Sequence, residues 1–94
     1  MIFDIRYHEL VVLKDISRLP KVIKGRIQDA IEEKLMTEPA LFGKPLRRSL
    51  KGYWKLRVGD YRVIFRIETN QVIKIFIIQH RSVVYKKISG RIPS

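Results

Sequence analysis

The stretch GYWKLRVGDYRVIF, residues 52–65, constrains the fold more than any other part of the chain. Apolar and polar residues alternate on both sides of Gly59-Asp60, a two-residue hairpin signal with glycine first, as a type II′ turn prefers. With Gly59 and Asp60 as the loop, Val58 opposes Tyr61 and Arg57 opposes Arg62. The two-residue period then sorts every side chain. One face receives Trp54, Leu56, Val58, Tyr61, Val63, Phe65 and Ile67, and a helical layer must cover it. The other receives Tyr53, Lys55, Arg57, Arg62, Ile64 and Arg66, and is expected to stay open. Like charges in direct opposition destabilise a strand pair. Counterions make the Arg57–Arg62 pairing tolerable, and an entering phosphate makes it favourable.

The remaining elements follow from periodicity. MIFDIRYH alternates and reads as a first strand. ELVVLKDISRL places Val12, Leu13, Ile16 and Leu19 on one helical stripe. Pro20 ends that helix and opens a second, whose apolar stripe is Ile23, Ile27, Ala30, Ile31 and Leu35 as far as about Thr37. Gly25 interrupts it at a cost of roughly 1 kcal/mol relative to alanine, and close packing against the first helix is the expected reason. So short a connection implies two antiparallel helices. Residues 37–52 are expected to be loop, punctuated by Pro39, Gly43, Pro45 and Gly52. Strands are predicted over 53–58, 61–67 and 72–79, with a short helix over 83–89. The fold class is therefore α+β in the order β-α-α-β-β-β, a small, largely antiparallel sheet with a helical hairpin on one face. Residues 1–94 form a single domain.

Composition narrows the chemistry. The chain has no cysteine, and its two histidines, His8 and His80, lie far apart with no carboxylate cluster beside either. Neither a disulfide nor a metal site is expected, and no cofactor is called for. No apolar run approaches the length of a membrane span. The first ten residues carry an early acid and no signal-peptide core, so a cytoplasmic location is expected. Twenty Lys and Arg against nine Asp and Glu give a net charge of +11. The excess is local. Residues 20–38 hold four bases and four acids, whereas 43–62 hold seven bases and one acid, and 79–94 hold four bases and none. Such a field implies a polyanionic or acidic partner.

An isolated Lys or Arg on a strand face is usually just solvated. Two features argue for more here: the acids that normally intersperse such a face are missing, and a second basic segment follows. That segment, QHRSVVYKK, combines a titratable ring (His80), a fixed cation (Arg81) and an aromatic platform (Tyr85). Taken singly, His80 reads as an ordinary strand-end histidine and Tyr85 as a helix packing residue.

The element order, LKGYWKLRVGDYRVIF and HRSVVY together resemble the RelE/ParE toxin superfamily of type II toxin–antitoxin systems. The resemblance spans essentially the whole chain and is closest to the RelE-type mRNA interferases. It implies a ribosome-dependent endoribonuclease that needs no metal. The ribose 2′-OH attacks the adjacent phosphate, leaving a 2′,3′-cyclic phosphate and a free 5′-OH. Such chemistry asks for a base, for cations around the phosphorane and for an acid at the leaving oxygen. By this resemblance Lys55 is the base, Arg57 and Arg62 stabilise charge on the phosphate, Arg81 is an acid or phosphate contact, and Tyr85 stacks on or orients the substrate. The related YoeB toxins use a glutamate base and a histidine near the C-terminus. Lys44 stands at that glutamate position and His80 near that histidine, so the acid stays open between Arg81 and His80. Around these residues, Arg47, Arg48, Lys51, Arg66, Lys86 and Lys87 are expected to contact RNA phosphates. The implied partners are an acidic cognate antitoxin and mRNA on the ribosome. A ParE-like inhibitor of DNA gyrase and a non-catalytic RNA-binding module are the alternatives.

Overall fold

Five strands form one sheet in the computed structural model, which describes residues 2–93. They are β1 (Asp4–Tyr7), β2 (Lys44–Pro45), β3 (Trp54–Val58), β4 (Tyr61–Glu68) and β5 (Val72–His80), in spatial order β1-β5-β4-β3-β2. β1 runs parallel to β5, and each other pair is antiparallel. Met1, expected to begin the first strand, lies outside the described residues. Among the described residues no helix is long and apolar enough to cross a membrane.

The β3–β4 hairpin has the register its turn demands, with Arg57 opposite Arg62 and Val58 opposite Tyr61. Gly59 supplies the left-handed backbone of the turn at φ 58°, which an L side chain adopts only with strain. Leu56, Val58, Val63 and Phe65 are buried on one face, and Trp54, Tyr61 and Ile67 pack against them. The helical layer covers this face. It consists of a widely wound segment, Val11–Asp15, a tighter turn, Ile16–Arg18, and α1 (Lys21–Ala30), which continues as a wide turn over Ile31–Leu35. Ile27, Ala30, Ile31 and Leu35 are buried as their spacing predicts.

Four expectations need correction. The first helical segment is rotated from its predicted stripe: Val12 and Leu13 are 55% and 61% exposed, while Val11 and Asp15 are buried. Asp15 occupies a core position because it has a partner 76 residues away. β1 ends opposite Ile75, which leaves the β5 edge beyond it open. There the backbone N–H of Ile78 donates to Asp15 Oδ2 at 2.8 Å, and Gln79 Nε2 donates to Oδ1 at 2.8 Å. The Arg91 guanidinium closes the arrangement, Nη1 and Nη2 donating to the two carboxylate oxygens at 2.8 Å each and Nη1 also to Phe76 O at 3.1 Å. A buried pair of this kind adds little against an apolar replacement, but removing one partner strands the other charge.

The second correction concerns the face expected to be open. Tyr53, Ile64, Phe76, Ile77, Val84 and Ile88 form another buried cluster, supported by Leu46, Leu50 and Ile92. The C-terminal helix α3 (Val84–Lys87), the turn Ile88–Gly90 and the loop before β3 thus cover part of that face. A register shift between Ile64 and Phe65 helps explain it: Ile64 pairs with Ile77 and Phe65 with Ile75, so Phe76 is left over. A bulge of this kind re-aims the extra side chain, and Phe76 joins the second cluster.

Third, Gly25 has no close neighbour. A Cβ there would meet nothing within 4 Å, so helix packing does not require the glycine. Fourth, the segment expected to be loop holds α2 (Pro39–Phe42) and the two residues of β2. Gly43 joins them, and a Cβ at that position would lie 2.7 Å from Phe65 Cζ.

Candidate active site

The half of the second face nearer the hairpin turn remains uncovered. β2 and β3 place Lys44 opposite Lys55, and β3 and β4 place Arg57 opposite Arg62. Side chains directly opposed across a strand pair project to the same face, so four cations converge. With Phe42 they line a cleft of about 130 Å³, and among the described residues no carboxylate lines it. Lys44 enters the cleft through β2, which sequence periodicity missed because two residues show no period. The only signal that pointed to it was its match to the glutamate position of the related YoeB toxins.

Arg62 is held ready by its own turn. Nη1 donates to Gly59 O at 3.0 Å and to Tyr61 O at 2.9 Å. Among the described residues Nε and Nη2 have no protein acceptor, so a fork suited to two phosphate oxygens remains available. The same turn holds Arg81. Its backbone N–H donates to Asp60 O at 2.8 Å, and its Nε lies 3.6 Å from Asp60 Oδ1. Both arginines are therefore tied to Gly59-Asp60.

His80 lies elsewhere. It pairs with Tyr61, and the two rings meet edge to face at 5.5 Å, so the imidazole stands on the helix-covered side of the sheet. Gln79, not His80, shares a face with Arg62. His80 Nδ1 accepts the Ser82 N–H at 3.2 Å and lies 2.8 Å from Ser82 Oγ. The neutral ring therefore carries its proton on Nε2. Tyr85, on α3, is 46% exposed.

The six further candidates for phosphate contact divide. Arg47, Arg48 and Lys51 are exposed around the loop before β3, and Lys86 and Lys87 are exposed on α3. Arg66 is already engaged. It is ion-paired with Glu68, donates to Tyr53 Oη at 3.4 Å, and lies over the Tyr53 and Phe76 rings at 5.7 and 5.3 Å. The hydrogen bond it donates to Glu68, more than any other interaction, raises its pKa above the ordinary arginine value. No group of three or more His, Asp or Glu among the described residues is arranged to hold a metal ion.

Comparison with known proteins gives a consistent answer. Residues 5–85 match the family model described as the ParE toxin of the type II toxin–antitoxin system parDE. Toxin RelE of Mycobacterium tuberculosis is 33% identical over 87 residues, which cover 88% of this chain and 90% of the relative. Toxin RelG of the same organism is 32% identical over 75 residues, covering 79% of this chain and 86% of the relative. The crystal structure of the M. tuberculosis toxin–antitoxin complex RelBE2 superposes with a TM-score of 0.79 at 30% identity, over 86% of this chain and 100% of that one. The isolated Escherichia coli RelE toxin, at 18% identity, shares the fold with a TM-score of 0.67 over 97% of this chain and 99% of that one. The family match over most of the length, and two relatives above 30% identity along nearly all of theirs, fix the assignment. The chain is a type II toxin–antitoxin toxin of the RelE/ParE superfamily.

Proposed function

We propose that this toxin is an endoribonuclease that cleaves mRNA on the ribosome, in the cytoplasm, by attack of the ribose 2′-OH. The observation that carries the reading is the cleft formed by Lys44, Lys55, Arg57 and Arg62, four cations facing one small space with no acid among them. In the step proposed, the 2′ oxygen bonds to phosphorus and its proton passes to Lys55. The bond from phosphorus to the 5′ oxygen breaks, and that oxygen takes up a proton. Negative charge builds on the non-bridging oxygens, where Arg57 and the free fork of Arg62 counter it in a partly desolvated cleft. The common anchorage of Arg81 and Arg62 on the Gly59-Asp60 turn favours Arg81 on the leaving-group side. His80, on the far side of the sheet, reaches the same phosphate only around the end of the strands. Tyr85 is exposed and accessible to a base for stacking.

An acidic antitoxin completes the reading: a partner bearing carboxylates would neutralise the face that binds RNA. Structures similar to this chain include toxin–antitoxin complexes from M. tuberculosis and Methanococcus jannaschii. The family model's ParE name gives one observation for the second reading, inhibition of DNA gyrase. Primer extension on mRNA from cells expressing the toxin separates the two. Cuts within translated codons are expected. Intact message together with arrested DNA replication would establish the gyrase reading instead.

A further inference from the structure

A second cationic cleft lies one strand beyond Arg62. Its volume is about 410 Å³, and it is lined by Lys14 and Arg18 from the first helical segment, Gln79 at the end of β5, and Lys86, Lys87 and Arg91 from the C-terminal segment. Of these cations Arg91 is already neutralised by its ion pair with Asp15. Lys14, Arg18, Lys86 and Lys87 are exposed, and among the described residues none has a carboxylate within salt-bridge distance. Four uncompensated cations from two distant parts of the sequence thus surround one cavity.

Position relates this cleft to the first. Gln79 pairs directly with Arg62 across β4 and β5, so the two side chains share a face, and adjacent strands lie about 5 Å apart. Lys44, Lys55, Arg57 and Arg62 are thus followed across the strands by Gln79, which lines the second cleft together with Lys86 and Lys87. We infer that the second cleft binds the phosphodiester backbone of RNA, holding phosphates beyond the one engaged by Arg62. An amphipathic protein segment is the weaker fit, because among the described residues Leu10 is the sole large apolar one lining the cleft. Apolar side chains for such a segment are concentrated instead in the groove between β1 and α1, of about 620 Å³, where Phe3, Ile5, Leu19 and Ile27 are found. The choice of RNA as ligand rests on the ribonuclease reading above.

The phosphates could come from the strand being cut or from structured RNA of the ribosome, and one experiment distinguishes them. Fluorescence anisotropy is measured over a range of salt with uncleavable 2′-O-methyl RNA probes of about three and about nine nucleotides, and with empty ribosomes. The variants are Lys14→Gln/Arg18→Gln and, entering the cleft from the other side, Lys86→Gln/Lys87→Gln. Each single-strand phosphate contact contributes about 0.7 to the log–log salt slope. Either double variant is therefore expected to bind the longer probe with a slope shallower by about 1.4, and the short probe as the parent does. If the longer probe is unaffected but ribosome binding weakens with a shallower slope, the cleft holds ribosomal RNA backbone. Unchanged slopes for both overturn the inference and leave the cleft to a protein partner. Thermal melting checks that the exposed substitutions leave the fold intact. Because cleavage is not the readout, a toxin that cuts no message yet shows these slopes overturns the ribonuclease reading alone.

Discussion

The sheet has two covers, and different physics holds each in place. On one face, the helical layer is held by apolar burial spread over Val11, Ile27, Ala30, Ile31 and Leu35. On the other, the C-terminal segment buries Val84 and Ile88, with Ile92 partly buried beside them, then fixes its end with the Asp15–Arg91 ion pair. A broad apolar contact resists the loss of any one residue, whereas an ionic latch concentrates its effect in one. The two arginines that β4 presents on this second face differ in their partners. Arg66 is engaged by Glu68, Tyr53 and Phe76, whereas among the described residues Arg62 is held only by its own turn, so two arginines four residues apart on one strand have different surroundings.

Breaking the latch tests this contrast most severely. Arg91→Ala leaves Asp15 buried with an uncompensated charge, and such losses cost about 3–5 kcal/mol. Urea denaturation of parent and variant measures it. A change under about 1 kcal/mol would show that Val84 and Ile88 hold the C-terminal cover unaided.

At the uncovered end, Arg62→Ala should act on chemistry and not on folding. Removal of one donor to developing oxyanion charge typically lowers a rate by about 10²–10³-fold. Single-turnover cleavage of message on programmed ribosomes is expected to fall by that much. The unfolding free energy should change by no more than about 1 kcal/mol, the value of the turn hydrogen bonds lost. A rate within a few fold of the parent would place the phosphate elsewhere.

The same contrast marks what the sequence could reveal. The hairpin register, both strand faces and the α1 stripe were legible, because a two-residue turn and a 3.6-residue period are local signals. The Asp15–Arg91 latch was not, since an acid within an apolar stripe shows its role only beside a partner 76 residues on. Local pattern instead assigned the buried side of the first helix to Val12 and Leu13. The C-terminal cover over Ile64 was hidden for a related reason: the bulge at Phe76 breaks the alternation that would have announced it. In the candidate site, Lys55, Arg57 and Arg62 were legible from alternation, and Lys44 only from its resemblance to a family position. Charge alone did not separate Arg62 from Arg66. Tyr53, Phe76 and Glu68 do that, and only the folded chain brings them to one guanidinium.

Arg66→Ala is the counterpart of Arg62→Ala on the same strand. Its loss removes contact with two rings and an ion pair to Glu68, but the guanidinium is more than a third exposed and solvent screens it. About 1 kcal/mol of stability is expected to go. Cleavage by the folded fraction should stay near the parent rate. A loss of cleavage as large as that of Arg62→Ala, at unchanged stability, would make Arg66 part of the RNA site and erase the distinction between the two ends.

The smallest effect concerns the apolar cover and has the opposite sign. Gly25 lies in α1 with helical neighbours on both sides, and nothing sits within 4 Å of the position a Cβ would take. Alanine there restricts the unfolded chain without crowding the folded one, so Gly25→Ala should stabilise the protein by about 0.5–1 kcal/mol. Because the helical layer faces away from Lys55, Arg57 and Arg62, the gain should leave cleavage unchanged. Chemical denaturation and single-turnover kinetics on the same preparation check both halves of the expectation. Gly43→Ala is the control in the other direction: its Cβ would press on Phe65, and overpacking of this kind costs about 1–3 kcal/mol. If Gly25→Ala instead destabilised the chain, α1 would need the glycine for a contact absent from the isolated toxin, and the outer surface of the apolar cover would have to be read as an interface.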